Sequence, residues 1–157
     1  MPRKPPKKSY GPAPEKFIPS NIEKYKGKTP IILRSKLEKE FARWIDRHSA
    51  CVSWGSESAV VSYNDPAKGG KARRYFIDFT ATFRTRDGSL KKYYIEIKPS
   101  RECVAPKPSK RKKESTFLKE QLTYVTNQAK WIAARSFAKT KGAEFIVITE
   151  KELHIQK

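Results

Sequence analysis

The chain has 157 residues, enough for one domain with a real core and too few for two. Its 35 Lys and Arg against 16 Asp and Glu give a net charge of +19, which calls for a polyanionic partner, nucleic acid first. A long apolar run and a basic helix with a strongly apolar face are both missing, which argues against a membrane role. Cys51 and Cys103 have no metal spacing and are too few for a disulfide framework, so they suit a reducing compartment.

Residues 1–30 combine seven prolines with a net charge of +6. So polar a segment cannot bury enough surface to offset its ordering entropy, which predicts an extended or disordered basic arm. Such an arm either follows a phosphate backbone, docks on a protein or merely solubilises the chain. Met1 to Tyr10 has no apolar stretch of the secretory kind. Residues 31–157 are expected to form the single folded domain.

Ser35 opens a helical pattern in which Leu37, Phe41, Trp44, Ile45 and His48 share a stripe. Ser35 and Glu38 have the spacing of a capping box, so the Glu38 carboxylate has a structural role open to it. Glu38 and Glu40 sit on opposite edges of the apolar stripe, and either could reach a neighbouring site. His48 and His154 have no partner at metal-ligand spacing. Val52 to Tyr63 reads as a strand, followed by a loop through Gly69-Gly70.

The centre of the chain is a predicted β-hairpin. Its arms are Arg73 to Phe83 and Tyr93 to Lys98, joined by a turn at Arg86-Asp87-Gly88-Ser89. Alternation puts Ile77, Phe79, Ala81 and Phe83 on one face and Asp78 on the other; in the second arm Glu96 and Lys98 lie opposite Tyr93, Ile95 and Ile97. A hairpin can bring Asp78, Glu96 and Lys98 together, and two carboxylates beside an ammonium make a site for a hard cation. The competing reading is a solvated charged face.

After Lys98 comes a polar loop over 99–116, with a net charge of +4 from Pro99 to Glu114. Lys107, Lys110, Arg111, Lys112 and Lys113 would clamp a phosphate backbone there, or else simply face water. Glu114 to Thr140 reads as a long helix with Leu118, Leu122, Val125, Ala129, Ile132, Ala133 and Ser136 as its core stripe. Asn127 and Lys130 fall off that stripe, so they are expected to contact the site or its ligand, or else to face solvent. Phe145 to Thr149 is a buried strand, and a charged tail ends the chain.

The order helix, three strands, helix, strand, with Asp78 then Glu96-Ile97-Lys98 on the hairpin, resembles the PD-(D/E)XK nuclease core. That is an α/β (α+β) fold, αβββαβ, whose mixed sheet is flanked by helices. Agreement between element order and charge placement strengthens the resemblance. Lys24-Tyr25-Lys26-Gly27, Arg34-Ser35-Lys36-Leu37-Glu38, Trp54-Gly55-Ser56-Glu57, Arg74 to Phe79, Glu96 to Pro99, Asn127 to Trp131 and Ile148 to Leu153 narrow it. Jointly they resemble the head completion nucleases of contractile-tailed bacteriophages, over about residues 17–153. Ile77 stands where many members have Pro, and Leu37 where an aromatic is common.

The resemblance implies Glu38, rather than Glu40, as the helix carboxylate, with Glu38, Asp78, Glu96 and Lys98 as the catalytic set. It implies Mg²⁺, with Mn²⁺ able to substitute, held by Asp78, Glu96, the Ile97 carbonyl and Glu38. Double-stranded DNA is the expected substrate, contacted by Arg34, Lys107, Lys110, Arg111, Lys112, Lys113, Asn127 and Lys130. The implied role is processing of the packaged DNA end before tail joining, in the host cytoplasm or on the virion, with portal, neck or terminase proteins as partners. Two alternatives stand beside it. One is a non-catalytic head, neck or DNA-end-binding protein on the same fold; the other is a nuclease with another role, a resolvase or a transposon endonuclease subunit.

Overall fold

The computed structural model describes residues 15–154. The chain enters through β1 (Glu15–Phe17), which pairs antiparallel with β2 (Ile31–Leu33). Between them a short 3-10 turn over Ile22–Lys24 leads into Tyr25, which is buried. Residues 15–30, expected to belong to an extended arm, are therefore held to the domain at a few points, with most side chains exposed; residues 1–14 lie outside the described residues. Two things offset their ordering entropy. Phe17 and Tyr25 both meet the buried Trp54 edge-on, with ring centroids 6.0 and 4.8 Å away. Asp46, itself 1% exposed, accepts bonds from the Ser20 and Asn21 N–H groups (2.8 and 3.1 Å) and from the Trp54 indole (3.2 Å).

Helix α1 (Lys36–Arg47) starts as its sequence dictates. Ser35 is the N-cap, and its hydroxyl accepts from the Glu38 N–H at 3.1 Å. Phe41, Ala42, Ile45 and Asp46 are its buried side chains. Strand β3 (Cys51–Asp65) follows, then β4 (Lys71–Arg84) and β5 (Leu90–Ile97), each antiparallel to the one before. Helix α2 (Glu114–Thr140) carries the chain across the sheet to β6 (Glu144–Ile148), which pairs with β5 in parallel. A short helix, α3 (Glu150–His154), occupies the stretch expected to be a charged tail. The sheet order is β3-β4-β5-β6.

Helices α1 and α2 organise separate apolar clusters. Phe41, Ile45, Trp54, Phe79, Ala81 and Ile95 belong to the first, and Val61, Tyr75, Ile77, Tyr94, Trp131 and Ala134 to the second. Ile77 thus does not share the cluster of Phe79 and Ala81, contrary to simple alternation. The cause is an irregularity in β3, whose pairing with β4 shifts register between Ser56 and Ala59, with Glu57 in the left-handed region at φ 49°. A bulge of this kind adds local twist, which swings β4 from one cluster to the other around Asp78. The segment 25–27 crosses this point closely: the Lys26 N–H donates to the Trp54 carbonyl at 2.8 Å. A Cβ on Gly27 would come within 2.9 Å of the Ser56 nitrogen, so only glycine fits there.

The expected core stripe of α2 holds only in part: Ala129 and Ala133 pack against the second cluster, but its large residues do not. Leu118, Leu122, Val125 and Ile132 are exposed, while Asn127, Trp131, Ala134 and Ala138 are buried. The small Ala134 and Ala138 let the helix lie close to the sheet, where Trp131 and Tyr94 fill the gap; the larger side chains have no sheet surface to meet.

Asp46→Ala leaves two backbone N–H groups and the indole N–H without their acceptor in a buried place. It should cost about 2–4 kcal/mol of stability in urea unfolding and should loosen residues 15–30 to proteolysis.

Candidate active site

The β4–β5 ladder runs from Arg84↔Leu90 to Phe79↔Ile95 and stops there. One residue further, Asp78 and Glu96 face each other where the strands part. Beyond that point β4 stays paired with β3 alone, and β5 stays paired with β6 as far as Ile97↔Ile148. In place of a backbone carbonyl, the Asp78 carboxylate accepts the Ile97 N–H at 2.9 Å. On the other side of the opening, the Lys98 N–H donates to the Ile148 carbonyl at 3.0 Å. The site lies in this fork of the sheet.

Glu96 is buried and accepts a hydrogen bond from the Tyr75 hydroxyl, itself buried. The Lys98 ammonium stands 3.8 Å from the other Glu96 oxygen. Burial above all, then the neighbouring Glu96 and Glu38 charges, push the Asp78 carboxyl well above the usual carboxylate range; the Ile97 N–H acts in the opposite direction. Burial and the Glu96 charge likewise push the Tyr75 phenol up, so Tyr75 remains a donor to Glu96. Two inward-facing carboxylates with one ammonium near them are short of positive charge, the donor chemistry that fits a divalent hard cation. Among the described residues no three His, Cys, Asp or Glu side chains form a ready ligand cluster.

Glu38 lies near enough to raise the Asp78 pKa but is turned back on its own helix end. Its carboxylate takes the Ser35 hydroxyl and the Arg34 N–H, both at 3.1 Å. The capping role and the proximity to Asp78 therefore coexist in one side chain. Arg34 pairs with Glu57 and is held protonated by Glu57 first, with Glu38 and Asp78 adding to it. Its guanidinium is thus at the mouth of the site rather than in a separate basic patch. Tyr75 and Glu57 were not singled out from the sequence. A tyrosine three residues before Asp78 gives no pattern signal, and a glutamate in a left-handed bulge reads locally as any strand residue.

The loop after Lys98 is anchored at its start. The Ser100 N–H (2.9 Å) and hydroxyl both donate to the Glu150 carboxylate, and these bonds hold Glu150 down to about 2. Lys107, Lys110, Arg111 and Lys113 are exposed. Lys112 instead pairs with Glu120 of α2 at 2.7 Å and donates to the Lys107 carbonyl at 3.0 Å, so it fastens the loop to the helix. Lys130 lies over the Tyr63 and Tyr75 rings at 5.8 and 5.6 Å. Asn127, expected on an open face, is 5% exposed.

A family model described as TnsA-like endonuclease N terminal matches residues 48–150, a span that contains Asp78, Glu96 and Lys98. The chain is 39% identical over 142 residues to the head completion nuclease of Enterobacteria phage T4, covering 88% of this chain and 91% of that protein. No solved structure matches.

A carboxyl group whose folded-state pKa lies above its ordinary value of 3.8 stabilises the fold below that pH and gives the stability up as pH rises through the folded value. Asn imitates the neutral acid at every pH. In thermal melts with chelator, Asp78→Asn should match wild type below pH 3.8 and melt higher above it. Identical melting across the whole range would show that Asp78 titrates normally.

Proposed function

The chain belongs to the TnsA-like endonuclease family, and on that premise we propose that it is a Mg²⁺-dependent deoxyribonuclease acting on the packaged DNA end during phage head completion. The observation that carries the chemistry is the meeting of Asp78 and Glu96 in the sheet fork, with Lys98 beside them.

Asp78, Glu96 and the Ile97 carbonyl would hold the cation, with Mn²⁺ as a substitute and Glu38 as a further carboxylate able to leave its cap. When bound, such a cation polarises a phosphate oxygen and makes a water more acidic. The protein does the rest by orientation. The Ile97 N–H fixes one carboxylate and the Tyr75 hydroxyl the other, so both arrive at the substrate already aimed. Lys98, its backbone fixed by β6 and its side chain three-quarters shielded, offers a fixed positive charge to the developing phosphorane. Once off its cap, Glu38 would accept a proton from an attacking water on the α1 side.

Around the site, Lys107, Lys110, Arg111 and Lys113 supply contacts to phosphates without reading sequence, and Arg34 adds a cation at the mouth. Nothing in this arrangement requires a membrane, and among the described residues no helix is long and apolar enough to cross one. The head-completion role rests on the T4 relative's name, and contact with portal, neck or terminase proteins belongs to the same proposal.

Cleavage of linear duplex DNA with Mg²⁺ tests the chemistry. Asp78→Ala and Lys98→Ala should each lower the rate by at least about 10²-fold. Cutting at the wild-type rate by both would remove the site. Replacing Lys110, Arg111 and Lys113 together by alanine should weaken duplex binding irrespective of sequence. It should also flatten the log–log salt dependence by up to about 3. An unchanged slope would show that the loop does not meet the backbone.

A further inference from the structure

Between the loop that follows Lys98 and the first turns of α2 lies a cleft of about 680 Å³. Its walls differ in character. Val104, Ala105 and Pro106 give an apolar side and Tyr124 a ring; Lys107 and Lys119 line it as cations, against Glu102 and the Lys112-paired Glu120. Asn127 also lines it, and this residue is the informative one. It is 5% exposed, and its amide Nδ2 has no hydrogen-bond partner. Only the Trp131 indole N–H, one turn further along the helix, shares that condition among the described residues.

A buried N–H without an acceptor is destabilising, and a leucine or alanine at this helix position would avoid it. Such a donor calls for an acceptor, and a ligand lying in the cleft can bring one. A carboxamide offers one donor and one acceptor side by side. The complementary partner offers an acceptor beside a donor, which is the edge of a nucleobase. The rest of the cleft suits the same ligand: an apolar wall and a tyrosine ring for stacking, and ammonium groups for the attached phosphate. A paired base in a duplex cannot enter so small a space, so the base must be unpaired.

The cleft is also close to the chemistry. Arg101, on its wall, is three residues from Lys98, which bounds their Cα separation at about 11 Å. We propose that this cleft takes an unpaired nucleobase at the strand end next to the cut phosphate, so that the protein prefers duplex DNA carrying a single-stranded tail. The proposal rests on the nuclease reading above and adds to it the form of the DNA end.

Equilibrium binding in chelator, followed by fluorescence anisotropy, tests it with three probes of one duplex: blunt, tailed, and tailed with abasic residues. Wild type should bind the tailed duplex about tenfold more tightly than the blunt one, and the abasic tail should erase that ratio. In Asn127→Ala and in Tyr124→Ala the ratio should fall to about one. Asn127→Leu should also lose the preference while melting no lower than wild type, because it gives up no hydrogen bond. A purely structural Asn127 would instead lower the melting temperature on replacement. Equal binding of blunt and tailed duplexes by wild type overturns the cleft assignment and leaves the nuclease intact. A preference that survives the abasic tail or the Asn127 variants overturns it too, since phosphate alone would then be read. A protein that binds no duplex and cuts none overturns both readings together.

Discussion

The bond from the Ile97 N–H to the Asp78 carboxylate marks where the central sheet divides. Up to Phe79 and Ile95 the two hairpin strands exchange ordinary ladder bonds; past that point a side chain takes the place of a carbonyl. This one substitution keeps a backbone donor satisfied while letting the strands separate, and it fixes a carboxylate in the gap. The two apolar clusters are distributed around the same opening, one under α1 and one under α2. The burial of Glu96 and the partial burial of Asp78 follow from that geometry. The gap is lined by core residues on both sides, so what fills it is largely shielded from water.

Burial on these terms sets a sharp contrast of charge. The chain as a whole carries +19, yet its interior holds a pair of carboxylates with one lysine alongside. The surface field favours a polyanion, while the internal negative charge is of the kind that a hard cation offsets. Arg34 lies at the boundary between the two regimes, bonded to Glu57 and sensing both Glu38 and Asp78. The strained backbone at Glu57 is therefore adjacent to the place where the two kinds of electrostatics meet.

Much of this could be read from the residues. The alternating aromatic and β-branched arms, the Asp87-Gly88 turn and the Ser35–Glu38 spacing are local signals, and local signals survive folding. The failures have a common physical origin in partners distant in sequence. Helix α2 has apolar residues on several faces, so hydropathy alone favoured Leu118, Leu122 and Val125. The sheet selected Trp131, Ala134 and Ala138 for their shape. Prolines and lysines hid the ordered segment 15–30, because its stability comes from Trp54 and Asp46 rather than from its own composition. Asp46 itself looked like one more helix-surface acid. The bulge at Glu57, which moves Ile77 into the other cluster, has no signature in a strand of this composition.

The parallel pairing of β5 with β6 bears on the order in which the molecule is assembled. The hairpin that carries Asp78 and Glu96 is built from neighbours in sequence and can form early. Its closing partner, Ile148, lies beyond the whole of α2. A contact of such long sequence separation closes a long loop and carries its entropy cost, and a growing chain supplies its second strand last. Until β6 docks, Lys98 has no carbonyl to hold its backbone, and the carboxylates face an unfinished sheet. The surroundings of Asp78, Glu96 and Lys98 are thus complete only once the last strand of the chain has joined the sheet.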